Sequence, residues 1–206
     1  MEVFIILIFV CLVIWLVLRG QKSVATASNL GMLPERFVIF DLETTGLDPS
    51  KHEIIEIGAI RVNRDGEQHD TFETLIKPSK RIPKRITEIT GITQEMVELD
   101  GVSIIEALTD FQAFVGELPL VAFNAQFDQE FLRAASTLAA TEHFSNEVYC
   151  ALQLSRRAWP GRKSYRLSEL AKDGSLALDG QHRALGDCKR TMIVYAAAAQ
   201  VVGSYR

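Results

Sequence analysis

The chain has 206 residues, of which 48% are hydrophobic and 23% are charged, and its formal net charge is −4 at pH 7. This composition excludes wholesale disorder, and the acidic balance argues against a surface coated with basic residues for duplex DNA. Its three cysteines, Cys11, Cys150 and Cys188, are too few for a disulfide scaffold in a chain of this length, which indicates a reducing compartment.

The N-terminal segment differs in composition from the rest of the chain. Residues 3–18 contain no charge, no amide and no glycine, and a segment that is apolar all round suits lipid better than one face of a core. Only Glu2 precedes this run, whereas Arg19 and Lys22 follow it. The positive-inside rule therefore predicts a transmembrane anchor at residues 1–19, single-pass in the inner (cytoplasmic) membrane, with the rest of the chain facing the cytoplasm.

An alternative for this segment is a cleaved signal peptide followed by export. Ala25-Thr26-Ala27 would serve as the small-residue cleavage site, although no lysine or arginine precedes the apolar run. Small and polar residues predict a linker over residues 20–34. Residues 35–206 then remain for one domain with a proper core.

The most informative motif follows the linker. Phe37 to Phe40 form an apolar run of β-branched and aromatic residues, which predicts a buried strand. Asp41 and Glu43 come at its end and share one face, because side chains alternate along a strand. Adjacent buried anions repel unless a cation or a shared proton intervenes, so the motif predicts a divalent-metal site. A solvated strand end is the alternative that this motif alone leaves open.

The rest of the pattern predicts an α/β domain. After the first strand, strands are expected at residues 52–62, 71–76 and 118–123, with a hairpin turn at 63–66. Helices or helical turns are expected at residues 82–93, 94–97, 103–115, 127–139, 167–171 and 184–201. Residues 148–154 are ambiguous between strand and helix. A meander followed by helix–strand–helix units predicts a mixed sheet flanked by helices.

Two further carboxylates are predicted on buried helix faces. Asp128 shares a helix face with Phe131, three residues later, and Asp187 lies beside the apolar stripe of the last helix. His182 is expected in the loop before that helix. On the residues alone, a first-turn aspartate favoured by the helix dipole and an ordinary surface histidine stay open as alternatives. The other histidines are predicted to be surface residues: His52, His69 and His143.

Three motifs, in chain order, resemble those of the DnaQ-like, DEDDh 3′–5′ exonucleases, a family that includes the proofreading epsilon subunit of bacterial DNA polymerase III. They are Asp41-Leu42-Glu43-Thr44-Thr45-Gly46, Asn124-Ala125-Gln126-Phe127-Asp128 and His182-Arg183-Ala184-Leu185-Gly186-Asp187. Residues 54–59 and 90–97 also resemble this family, and the likeness covers about residues 36–200. The resemblance implies an RNase H-like exonuclease fold and two-metal phosphodiester hydrolysis.

Carried over position by position, the resemblance assigns roles to residues of this chain. Asp41, Glu43, Asp128 and Asp187 would hold two Mg²⁺ or Mn²⁺ ions, in keeping with the preference of hard cations for oxygen ligands. His182 would be the general base that deprotonates the attacking water. The implied substrate-binding residues are Thr44, Thr45, Gly46, Leu47, Asn124 and Phe127, although Phe127 could equally be a core residue.

The expected activity is metal-dependent hydrolysis of phosphodiester bonds at the 3′ end of single-stranded DNA, with release of 5′-nucleotides. The alternatives are an enzyme that trims RNA ends and a non-catalytic nucleic-acid-binding module. The expected partners are single-stranded DNA or RNA 3′ ends, and the membrane through the N-terminal helix. Because the chain continues only briefly after its last predicted helix, no polymerase-binding tail is evident and a free-standing role is expected.

A basic stretch precedes the third motif and forms either a single-strand groove or a solvated loop. Its five residues are Arg156, Arg157, Arg162, Lys163 and Arg166.

Overall fold

The computed structural model describes residues 30–64, 70–174 and 182–204. The predicted anchor at residues 1–19, the alternative cleavage site and most of the predicted linker at residues 20–34 lie outside the described residues, as does part of the predicted hairpin turn. The extents of these N-terminal segments and of the domain that follows them therefore stay predictions.

The described strands form one mixed sheet, which confirms the predicted sheet type. Its strands are β1 (Arg36–Thr44), β2 (Ile54–Asn63), β3 (Asp70–Leu75), β4 (Leu120–Ala122) and β5 (Val148–Cys150). Their order is β3-β2-β1-β4-β5. The pairs β1–β2 and β2–β3 are antiparallel, whereas β1–β4 and β4–β5 are parallel. The antiparallel half is the predicted meander, and the parallel half needs the helical crossovers that the pattern also predicted.

Helices flank this sheet. They are α1 (Lys84–Thr90), α2 (Gln94–Leu99), α3 (Ile104–Val115), α4 (Ala125–Ala139), α5 (Ala151–Ala158), α6 (Leu167–Asp173) and α7 (Ala184–Gly203), and a 3₁₀ turn spans Leu30–Met32. Ser103 caps α3 as predicted, because its Oγ accepts a hydrogen bond of 3.2 Å from the N–H of Glu106. The ambiguous residues 148–154 divide between two elements, since β5 ends at Cys150 and α5 begins at Ala151.

The apolar residues of β1 alternate between two cores, one on each face of the sheet. Val38 and Phe40 belong to the core that α3 and α4 cover, together with residues such as Phe111. Phe37 and Ile39 belong to the opposite core, which α5 and α7 cover. Because side chains alternate along a strand, Asp41 and Glu43 continue the face of Phe37 and Ile39. The strand register therefore directs both carboxylates to the side of the sheet that carries α7.

The predicted location in the inner membrane is corrected by the structure. Within residues 30–64, 70–174 and 182–204, no helix combines the length and the apolar character needed to cross a membrane. The 20-residue helix α7 carries the charged residues Asp187, Lys189 and Arg190 in its first half. The described residues therefore support neither a membrane location nor a membrane partner.

Candidate active site

Three of the four predicted metal ligands converge at the end of β1. Asp41 and Glu43 lie on β1 and Asp187 lies in the first turn of α7. Each of the three offers a carboxylate oxygen, and these atoms all lie within 4.8 Å of one another. The convergence follows from the fold, because β1 directs its odd-numbered side chains toward α7.

Asp128, the fourth predicted ligand, lies beside this group rather than within it. It belongs to the first turn of α4 and is buried, with 3% of its surface exposed. The backbone N–H groups of Asp128 itself and of Leu42 act to lower its pKa, against the larger effect of burial. It lines the same cleft as Asp41 and Asp187. Asp128 is thus a buried carboxylate at the cluster, and the helix N-terminus also contributes to its stabilisation.

The electrostatics of the cluster favour protonation or a bound cation. Burial, and next the charges of Asp128 and Glu43, raise the pKa of Asp41 well above its usual value. Burial, and next the charges of Asp187 and Glu56, raise the pKa of Glu43 from 4.5 to about 8. Burial likewise raises the pKa of Asp128 to about 8. Neighbouring anions in a shielded cleft cannot all ionise without a compensating positive charge.

The donor set of the cluster fits hard divalent cations. Carboxylate oxygens are the ligands that Mg²⁺ and Mn²⁺ prefer, and spacings below 4.8 Å let one ion touch several of them. Asp187 is already oriented toward the others: its Oδ1 accepts from the Nε of Arg190 at 2.9 Å, and its Oδ2 accepts from the backbone N–H of His182 at 3.2 Å. Arg190, which is buried, was not among the predicted site residues.

The turn that carries His182 is held in place by a buried ion pair. Glu56 of β2 is fully buried and accepts from the Nε of Arg183 at 2.9 Å and from its Nη2 at 2.6 Å. Its other oxygen accepts from the N–H of Ala184, the first residue of α7, at 2.8 Å. His182 is exposed, has a φ of 57° and lines the cleft. The pair therefore ties the start of α7, with His182 before it and Asp187 after it, to the sheet.

Sequence reasoning assigned no role to Glu56 or Arg183, although one signal was present. Glu56 interrupts an otherwise apolar run, with Ile55 before it and Ile57 after it. A charge in a strand that is buried on both faces requires a partner. The chain separation of 127 residues hides which partner that is.

A cleft of about 840 Å³ joins the carboxylates to residues from the second half of the chain. Its lining residues are Asp41, Leu42, Leu47, Phe123, Asn124, Phe127, Asp128, Leu152, Arg156, Tyr165, Arg166, Leu167, Ser168, His182, Asp187 and Arg190. Three predicted substrate-binding residues, Leu47, Asn124 and Phe127, are among them. Phe127 also packs against Phe131, with ring centroids 4.8 Å apart, so the two roles considered for it coexist.

The other predicted substrate-binding residues do not line this cleft, since Thr44 ends β1 and Thr45 and Gly46 begin the loop after it. The N–H of Thr45 donates to the carbonyl of Glu53 at 2.9 Å, and the N–H of Glu53 donates to the Thr45 hydroxyl at 3.0 Å. The ring of His52 lies 2.5 Å from where a Cβ on Gly46 would be, so the loop requires a glycine there.

His52, which was predicted to be a surface residue, is half-buried and contacts the loop after β1. Its Nδ1 lies 3.3 Å from the Thr45 hydroxyl, and the ring is partly buried under the loop. Of the other two histidines, His143 is exposed as predicted, and His69 lies outside the described residues.

Comparisons with known proteins relate this geometry to nucleases. A family profile described as Exonuclease (RNase T) matches residues 38–195, which is more than half of the chain. The DNA polymerase III subunit epsilon of Aquifex aeolicus is 36% identical over 85% of this chain and 85% of its own length. The PolC-type DNA polymerase III of Clostridium perfringens is 40% identical over 76% of this chain, but this chain spans only 11% of that protein.

Two solved structures resemble the fold. An Escherichia coli Exonuclease I–single-stranded DNA complex in a zinc-bound form superposes with a TM-score of 0.70 at 20% identity, over 84% of this chain and 41% of that chain. Exonuclease X in complex with 5′-overhanging duplex DNA superposes with a TM-score of 0.60 at 29% identity, over 81% of this chain and 89% of that chain. The likeness shows the RNase H-like exonuclease fold that the motifs predicted.

Proposed function

Because the chain belongs to the exonuclease family, we propose that it is a metal-dependent 3′–5′ exonuclease that hydrolyses the terminal phosphodiester bonds of single-stranded DNA and releases 5′-nucleotides. The observation that carries this proposal is the set of carboxylate oxygens of Asp41, Glu43 and Asp187, all within 4.8 Å of one another. A binding module has no need for half-buried carboxylates that repel one another, whereas a phosphodiesterase that uses divalent cations does.

In this proposal the metal ligands are Asp41, Glu43, Asp128 and Asp187. Two Mg²⁺ or Mn²⁺ ions bound there would stabilise negative charge on the attacking and leaving oxygens. The protein residues supply the arrangement, because Arg190 and the N–H of His182 hold the two oxygens of Asp187. These bonds reduce the reorganisation that the reaction requires.

His182 is the residue proposed to accept the proton of the attacking water. Its side chain lines the cleft beside Asp187, and its exposure leaves the ring accessible to water. Imidazole is the side chain best suited to exchange protons near neutral pH. The ion pair between Glu56 and Arg183 holds the adjacent backbone and so limits the positions that the ring can take.

The terminal nucleotide is proposed to lie on Leu47, Asn124 and Phe127. Leu47 is 83% exposed, which leaves a large apolar side chain at the mouth of the cleft for a base to cover. Phe127 offers an aromatic ring held by its contact with Phe131. Thr44, Thr45 and Gly46 would set the position of Leu47 through the loop. DNA is favoured over RNA because the relatives named above are DNA polymerase III chains and the structural neighbours hold DNA.

The test is digestion of end-labelled oligonucleotides by the full-length chain in Mg²⁺, in Mn²⁺ and in EDTA. A 5′ label on single-stranded DNA should give a ladder of shortening products, and a 3′ label should give labelled mononucleotide, only with a divalent cation present. The matched control is the variant Asp41→Asn, which should give neither. A matched RNA strand should be cut more slowly. Faster cutting of RNA would reassign the substrate, and binding without cutting in either metal would refute the enzyme.

A further inference from the structure

Two arginines outside the catalytic motifs line the cleft that holds the carboxylates. Arg156 lies in the last turn of α5, and Arg166 directly precedes α6. Both are exposed, and neither makes an ion pair with a carboxylate in the part of the chain that the structure describes. The neighbouring cations differ, because Arg190 is bound to Asp187 and Arg162 to Asp173. The cleft thus carries two cations that are free to meet a ligand.

Tyr165 holds this side of the cleft in shape. Its hydroxyl donates to the carbonyl of Trp159 at 2.6 Å and accepts from the N–H of Arg162 at 3.3 Å, which closes the loop between α5 and α6. The guanidinium carbon of Arg156 lies 5.9 Å from the centre of the Tyr165 ring, within the range of a cation–π contact. A side chain that is already restrained loses less entropy when it binds a ligand.

The carboxylate cluster repels a polyanionic substrate wherever the negative charge of the cluster exceeds the positive charge of the cations bound to it. Cations placed along the same cleft offset this repulsion, and guanidinium groups match phosphate in geometry and charge. We propose that Arg156 and Arg166, with Tyr165 between them in the chain, form a basic wall that binds the phosphates of the single strand on the 5′ side of the bond to be cut. This inference rests on the proposed function. It adds that the substrate must be a strand that carries further phosphates on the 5′ side of the scissile phosphate.

The first test measures binding by fluorescence anisotropy with a labelled single strand and the full-length chain, in an Asp41→Asn background that prevents digestion. The logarithm of affinity should fall with the logarithm of salt concentration, and each of Arg156→Gln and Arg166→Gln should reduce that slope by about 0.7. The matched control is Arg157→Gln, which removes the same charge from an exposed neighbour outside the cleft. If Arg157→Gln reduced the salt slope equally, the proposed basic wall would be refuted, because the overall charge of the protein would explain the binding.

The second test compares two substrates in the unmutated active site. The p-nitrophenyl ester of thymidine 5′-monophosphate contains the scissile phosphate and no other, whereas an oligonucleotide continues along the wall. Arg156→Gln and Arg166→Gln should each raise KM for the oligonucleotide roughly fivefold to tenfold with little change in kcat. Hydrolysis of the ester should stay unchanged.

The outcomes separate this inference from the function on which it rests. Equal losses on both substrates would overturn the wall, because the arginines would then act at the scissile phosphate. Unchanged oligonucleotide KM and unchanged salt slope would overturn it as well. A parent chain that binds the strand with the expected slopes but cuts neither substrate would instead refute the exonuclease, and it would retain only the binding of phosphates by the two arginines. Parallel DNA and RNA strands determine which backbone the wall prefers.

Discussion

Replacement of Glu56 with alanine should destabilise the protein by about 3 kcal/mol and remove most of its activity. Loss of one partner of a buried ion pair costs about 3–5 kcal/mol, because the other charge is left without compensation. Two features place this site at the lower end of that range. Arg183 keeps 35% of its side chain exposed and can regain water. The charge of Glu56 also raises the pKa of Asp41 and Glu43, so its removal relieves repulsion.

The measurement is thermal and urea unfolding of the two proteins in EDTA and in Mg²⁺. A loss of 3 kcal/mol should lower Tm by about 6–12 °C in a chain of this size. The matched control is Glu73→Ala, since Glu73 is 44% exposed and lies 3.5 Å from the same guanidinium. An exposed pair of this kind contributes less than about 1 kcal/mol. Equal losses in the two variants, or a loss below about 1 kcal/mol for Glu56→Ala, would refute the reasoning.

Activity provides an independent readout of the same pair. Because Glu56 binds both Arg183 and the first N–H of α7, its loss should displace His182 and Asp187 together. We expect kcat for the p-nitrophenyl ester to fall and the Mg²⁺ concentration needed for half activity to rise. Glu56→Gln keeps the volume and one acceptor oxygen, so its losses should be intermediate. Unchanged kcat in a variant that has lost stability would limit the pair to a structural role.

The remaining predictions concern the cluster and the contact between β2 and α7. Asp41→Asn removes a carboxyl group whose pKa is raised by burial and by neighbouring anions, so it should abolish Mg²⁺-dependent digestion while raising the metal-free stability in urea unfolding; a less stable variant would contradict this. His182→Gln should lower kcat by a factor of about 10²–10⁴ and leave the Mg²⁺ affinity measured by calorimetry unchanged. The pKa of Glu43 is raised from 4.5 to about 8, so the folded state retains a proton that the unfolded state releases across this window. The titration of Glu43 alone should therefore lower the metal-free stability by up to about 1.4 kcal/mol per pH unit between pH 5 and pH 8, Asp128 should add to this slope, and saturating Mg²⁺ should abolish it. Gly58→Ala places a Cβ 2.4 Å from the backbone nitrogen of Leu185, so it should destabilise the protein by about 1–3 kcal/mol or more. If the variant had the same urea midpoint as the parent, the close contact between β2 and α7 would be excluded.

Local patterns predicted the elements and the family correctly where the determining interactions span a few residues. The alternation of β1 placed Asp41 and Glu43 on one face, and Ser103 marked the start of α3 through a bond to Glu106. The three motifs identified the exonuclease family, which the comparisons confirmed. Strand period and helix capping depend on backbone geometry within one or two turns, so they can be read from neighbouring residues.

Other expectations failed, were incomplete or stayed open because the local sequence pattern did not decide them. His52 was predicted to be a surface residue, yet the loop after β1 folds back onto it and joins it to Thr45. The inner-membrane location was wrong, because it was drawn from the composition of one segment and the described helices give it no support. Residues 148–154 were ambiguous because a three-residue strand and the first turn of a helix both present short apolar runs.

The sequence by itself identified the family and, through the resemblance of its three motifs, the candidate site residues Asp41, Glu43, Asp128, His182 and Asp187. Only the tertiary structure decided how they meet. It brings three carboxylates within 4.8 Å of one another, leaves Asp128 beside them, and joins Glu56 to Arg183 across 127 residues of chain. The reason is that backbone periodicity acts over a few residues, whereas the partner of a buried charge is determined by sheet order and helix packing, which bring together segments that are distant in the chain.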